Sequence, residues 1–61
     1  METIKQVLMH RDGLSEWEAQ DKIEEAREQL QEYLAEGDMQ AAEDICQEYF
    51  GLEPDYIMEL L

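Results

Sequence analysis

Three glycines, Gly13, Gly37 and Gly51, divide this 61-residue chain into short stretches that each begin with a helix-start signal. Glycine suits the left-handed position just past a helix end, and Pro54, shortly after the last glycine, suits the first position of a new helix. Four helical segments follow, at about 4–11, 16–36, 39–50 and 54–61. No run alternates apolar and polar residues with period two. The expected fold class is therefore all-α, a compact bundle of three to four short helices in a single small domain over residues 1–61.

The first segment has Thr3 as its N-cap, with Ile4, Val7 and Leu8 on one face. The second opens on Ser15-Glu16-Trp17-Glu18, a capping box in which hydroxyl and carboxylate each satisfy a backbone amide of the other residue. Leu14 and Ala19 flank it as a hydrophobic staple. Ala19, Ile23, Ala26, Leu30, Tyr33 and Leu34 then recur at steps of three and four. They cover an arc about 100° wide, the stripe of a helix packed on a core. At 1.5 Å per residue this helix is ~32 Å long. Asp38 caps the third segment, which carries Met39, Ala42, Ile45, Cys46, Tyr49 and Phe50 on a broad apolar face. Cys46 lies near the middle of that face and reads as a small buried hydrophobe. The last segment carries Tyr56, Ile57, Leu60 and Leu61.

Against this ordinary apolar pattern stands an extreme charge. Seventeen acidic residues and four basic ones leave a net charge of −13, and no Lys or Arg follows Arg27. An acidic chain invites disorder. Here 44% of residues are apolar, Trp17, Tyr33, Tyr49, Phe50 and Tyr56 among them, enough for a core. A domain of this size still buries only about 60% of its unfolded surface, so it stands near the limit of independent stability. The field attracts basic partners and argues against direct contact with nucleic acid or anionic membranes. A lone cysteine permits no internal disulfide and fits a reducing cytosol.

On the second segment, Glu18–Lys22 and Glu24–Arg27 have the spacing of local ion pairs. Asp21, Glu25, Glu28, Glu32 and Glu36 are left without compensation on an arc of roughly 80°, an acidic ridge opposite the apolar stripe. The whole helix carries eight acids, about one per 4 Å, close to the ~3.4 Å phosphate spacing along one DNA strand. Trp17 lies about 160° from the centre of the stripe. A first-turn tryptophan in this place is expected beneath a neighbouring segment, the first helix or the C-terminal residues; the alternative is an exposed binding anchor.

Catalytic chemistry finds little support. His10 is the only histidine, and the chain has one serine and one threonine. No Ser-His or Cys-His pair has an orienting third member. A di-metal helix bundle needs two Glu-x-x-His motifs, and Asp12-Gly13-x-Ser15 lacks the spacing of a calcium loop. The expectation is a non-enzyme without cofactor or dedicated metal site.

The stretches Val7-Leu8-Met9-His10-Arg11-Asp12-Gly13-Leu14-Ser15 and Glu43-Asp44-Ile45-Cys46-Gln47-Glu48-Tyr49-Phe50-Gly51-Leu52-Glu53-Pro54-Asp55-Tyr56 resemble short acidic helical proteins encoded by bacterial phages and prophages. That resemblance implies an accessory protein of a mobile element, acting in the cytoplasm of a bacterial host, in a class that includes DNA mimics and inhibitors of host defence. Gly37-Asp38-x-x-x-Ala42 is similar to the start of the third helix in ubiquitin-associated domains, but Arg11-Asp12-Gly13 does not supply that family's aromatic-containing first loop. Neither resemblance transfers a site residue.

The reading that follows is an acidic interaction protein that occupies a basic, nucleic-acid-binding surface of a host protein, through Asp21, Glu25, Glu28 and Glu32 with Trp17 beside them. The alternative is an assembly subunit whose apolar helix face forms a homo-oligomer while the charge serves solubility. A homodimer is expected in either case, because two short helices leave much of a ~32 Å seam open. The charge itself generates a test. Melting temperature rises between about 10 and 300 mM NaCl, as the Debye length falls from ~30 Å to under ~8 Å and self-repulsion is screened. A falling melting temperature would mean that attractive pairs outweigh the net repulsion.

Overall fold

The computed structural model describes residues 2–61. Helix α1 spans Ile4–Arg11, α2 Glu16–Glu36 and α3 Met39–Phe50, and a 3-10 helix covers Pro54–Glu59. Helix α2 packs against both α1 and α3, and the 3-10 helix packs on α3. The molecule measures 33 × 20 × 16 Å, so its long dimension is essentially the length of α2.

The caps act where the sequence places them. Ser15 and Glu18 form the reciprocal box at the start of α2, with Glu18 N–H to Ser15 Oγ at 3.2 Å and Ser15 N–H to Glu18 Oε1 at 3.0 Å. These bonds hold the Glu18 carboxyl below its ordinary pKa. Thr3 forms a second box with Gln6 at the start of α1, and Asp38 accepts from the Ala41 amide at the start of α3. Gly37 ends α2 at φ +78°. Its N–H reaches Leu34 O and the Asp38 N–H reaches Tyr33 O at 2.9 Å, the paired bonds of a Schellman motif. The two-residue link therefore turns α3 straight back onto α2.

The core takes Ile4 and Leu8 from α1, Ala19, Ile23, Ala26 and Leu30 from α2, Ala42, Ile45, Cys46 and Phe50 from α3, and Leu60 beyond the 3-10 helix. Leu14, Tyr33, Tyr49, Leu52, Tyr56 and Ile57 pack around it. Among the described residues no polar or charged side chain is buried, so the carboxylates keep most of their hydration. The α2 stripe from Ala19 to Leu30 is covered by the chain's own segments, with no member above 8% exposure. Leu34, the last member of the stripe expected from the sequence, stays exposed at its far end.

Other expectations are corrected at the edges. The last segment is a 3-10 helix that stops at Glu59; its Leu60 N–H bonds Ile57 O, an i to i−3 contact at 2.9 Å, and Leu61 is exposed. Glu53 supplies no side-chain cap there, and six residues are too few for an isolated α-helix to gain by propagation. Leu34 and Met39, assigned to apolar faces, are exposed on either side of the Gly37 turn.

The two arginines tie segments together through backbone carbonyls. Arg11 donates to Phe50 O at 2.6 Å, joining α1 to the C-terminal end of α3, and makes two bonds to Asp12. The Asp12 carboxyl is held below its usual range by that guanidinium. Arg27 donates to Leu60 O at 3.3 Å and Glu59 O at 3.5 Å, while the Glu59 carboxylate accepts from the Ile4 amide at 3.0 Å. The final residues are thereby held from both α1 and α2.

The Gly37 turn gives a clean test of backbone strain. A Cβ at this position meets no atom within 4 Å, so Gly37→Ala is charged only the left-handed conformation, about 1 kcal/mol. Urea denaturation should show a lower midpoint at unchanged slope. An unchanged midpoint would mean that the turn relaxes to another conformation.

Candidate functional site: an acidic groove beside helix α3

The cap at Ser15 and the buried stripe together fix the rotation of α2, so its acidic positions must face outward. Asp21, Glu25, Glu28 and Glu32 are all exposed. Glu25, Glu28 and Glu32 come together with Gln29 and with Tyr49 of α3 around a shallow groove of about 310 Å³. Asp21 lies outside it, one turn toward the helix start, and Trp17 lies a further turn away, ~12 Å along the axis from Glu25. Three of the five sequence-derived site residues therefore share one concavity, and the other two extend the same face.

Trp17 is 82% exposed. The expectation that α1 or the C-terminal residues cover it is corrected: those segments lie against the core, where Leu8 and Leu60 are sealed, and Trp17 points away from the stripe they cover. Its position places it in line with Asp21 and Glu28 at helical spacing.

No ion pair among the described residues involves Glu25, Glu28 or Glu32. Gln29 Nε2 donates to Glu32 Oε2 at 3.3 Å, which leaves the formal charge of the groove uncompensated. The local pairs expected on α2 do not form. Glu18 is engaged at the Ser15 cap, Glu24 accepts a long 3.5 Å contact from Gln20, and Arg27 turns to the C-terminal carbonyls on the other flank of the stripe. Lys5 pairs with Glu16 at 3.1 Å, near the start of α2 and away from the groove. The negative field also registers on a tyrosine between α2 and α3. Burial pushes the Tyr33 phenol above its ordinary pKa, and Glu48, Asp38 and Glu36 push it further in the same direction.

Tyr49 and Gln29 were not singled out in the sequence as groove residues. Tyr49 reads there as part of the α3 core face, and in the fold it is half-buried, its ring 6.3 Å from that of Phe50. Helical spacing puts Tyr49 inside the apolar arc, so the only signal in the sequence was the amphipathic character of the side chain, which can bury its ring and show its hydroxyl to water. Elsewhere, His10 Nδ1 lies 3.4 Å from Glu2 Oε1 on the surface. Cys46 is fully buried, and burial, then the Glu59 charge, raises its thiol pKa. Among the described residues, no three His, Cys, Asp or Glu side chains are arranged to hold a metal ion, and no helix is long and apolar enough to cross a membrane.

Comparison with known proteins returns no matching family model, no matching curated protein and no matching solved structure.

The exposure of Trp17 has a direct spectroscopic consequence. As the only tryptophan, it should emit like the free amino acid, quench readily with acrylamide, and change little on unfolding. A blue-shifted, quencher-resistant emission would place it under another segment or in an interface between copies.

Proposed function

We propose that this protein acts by binding rather than by chemistry, as an acidic decoy for a basic, nucleic-acid-binding surface of a host protein. The observation that carries this reading is the convergence of Glu25, Glu28 and Glu32 on one open groove with no basic side chain paired to them. Asp21 and Trp17 lengthen the surface along α2, where Asp21, Glu25, Glu28 and Glu32 form a row with one charge every ~4.5–6 Å. This line of negative charge stands in for a nucleic-acid backbone, though spaced more widely than its phosphates. Tyr49 and Trp17 add flat apolar area at its margins, the kind of side chain that anchors an interface otherwise built on charge. The resemblance to accessory proteins of phages and prophages supports the same reading, because a small accessory protein can act by blocking a host nucleic-acid binder.

Association of this type is fast and weakens steeply with ionic strength. A partner captured from bacterial host extract at low salt and identified by mass spectrometry should be a nucleic-acid-binding protein, and DNA or RNA should compete with the acidic protein for it. The double reversal Glu25→Lys with Glu28→Lys should abolish that binding while helical circular dichroism is kept, since both side chains face solvent. Equal binding by the reversed variant, or failure of nucleic acid to compete, overturns the decoy reading and leaves the groove as a solvated face.

A further inference from the structure

A second concavity, of about 510 Å³, lies between α3 and the 3-10 helix, lined by Glu43, Asp44, Pro54, Asp55, Ile57 and Met58. Its make-up follows from helix geometry. At three residues per turn, Pro54 stacks on Ile57 and Asp55 on Met58, which puts two adjacent rows of the 3-10 helix along the groove. The third row, Tyr56 and Glu59, does not line the groove, and Glu59 accepts from the Ile4 amide; Ile57 of the first row is shared, packed partly on the core and partly lining the groove. Across the groove, α3 contributes the exposed Glu43 and Asp44. The result is an apolar floor with a rim of three carboxylates and no base. Met58 is 74% exposed, and a flexible thioether left in water on a groove floor is adaptable contact surface.

We propose that this groove docks a basic amphipathic segment of a partner protein, with an apolar side chain laid on Pro54, Ile57 and Met58 and Lys or Arg side chains meeting Glu43, Asp44 and Asp55. Charge complementarity selects this occupant over a second copy of the chain, which would bring its own net charge of −13 against the same three carboxylates. The site is separate from the α2 groove, and neither depends on the other. It differs in layout as well, since its apolar residues, Pro54, Ile57 and Met58, sit together within the groove, whereas Trp17 lies outside the α2 groove.

The test uses the full chain at about 0.15 M salt, where the Debye length is ~8 Å. The probes are an amphipathic Leu/Lys helical peptide, an oligolysine of the same charge and the Leu/Glu counterpart. The Leu/Lys peptide should bind and shift the methyl resonances of Ile57 and Met58, and the Leu/Glu peptide should not bind. Met58→Asp should weaken Leu/Lys binding by about tenfold, the scale of one apolar anchor, while oligolysine binding holds or strengthens. The sign is decisive: the substitution adds a negative charge, so non-specific attraction of a basic peptide can only increase. Circular dichroism checks that the variant folds, as its exposed position predicts. Leu/Lys binding as tight in Met58→Asp as in the native chain overturns the proposal, as do methyl shifts confined to other residues. A concentration-dependent dimer that Met58→Asp abolishes would also overturn it, by assigning the groove to a second copy.

Discussion

Burial of the α2 stripe is the constraint on which the rest of the molecule depends. Ala19, Ile23, Ala26 and Leu30 form the surface on which α1 and α3 are laid, and two of the four are alanines. Small side chains let the neighbouring backbones approach, so two short helices are enough to seal a helix of 21 residues along the part that matters. Once that face is committed inward, every carboxylate of α2 is committed outward. The acidic groove is a consequence of the packing as much as of the composition.

The two arginines are placed where they hold the ends of the chain's segments, and neither reaches the acidic groove. Arg11 and Arg27 both donate to carbonyls at the ends of segments, Phe50 in one case and Glu59 with Leu60 in the other. Guanidinium groups suit this role, because they satisfy carbonyls left without helical partners and oppose the negative end of the helix dipole. An arginine turned toward a helix end cannot also quench a ridge one flank away. The molecule thus holds together a very acidic body without shielding its most acidic face.

Most of the helical architecture was legible in the sequence because its signals are local. The Ser15–Glu18 box, the Asp38 cap and the Gly37 and Gly51 stops each act within one turn, and the first three helices begin and end where those residues place them. What the sequence did not disclose depends on which segments meet. Trp17 and Met39 lie beyond the reach of a covering neighbour, and Tyr49 meets the α2 carboxylates only because the Gly37 turn folds α3 back. The ion pairs expected on α2 failed for a related reason. Spacing permits Glu24 to meet Arg27, but a charge-assisted bond to the otherwise unsatisfied carbonyls of Glu59 and Leu60 competes for the same guanidinium. The last segment was legible as helical and apolar, but its 3-10 winding was not, since that depends on how six residues fit against α3.

Stability and binding are coupled in such a molecule through the same field. Carboxylates that repel one another across a body 20 × 16 Å in cross-section raise the free energy of the folded state relative to an expanded chain, where the charges stand further apart. A basic partner seated on either groove removes part of that repulsion only when the chain is folded, because neither groove exists otherwise. Its binding free energy therefore adds to folding stability by mass action. A chain so near the size limit for independent folding gains more from this than a large domain would, since each increment is a larger fraction of its total. The uncompensated charge that weakens the isolated fold is the same charge through which a basic partner, once bound, would strengthen it.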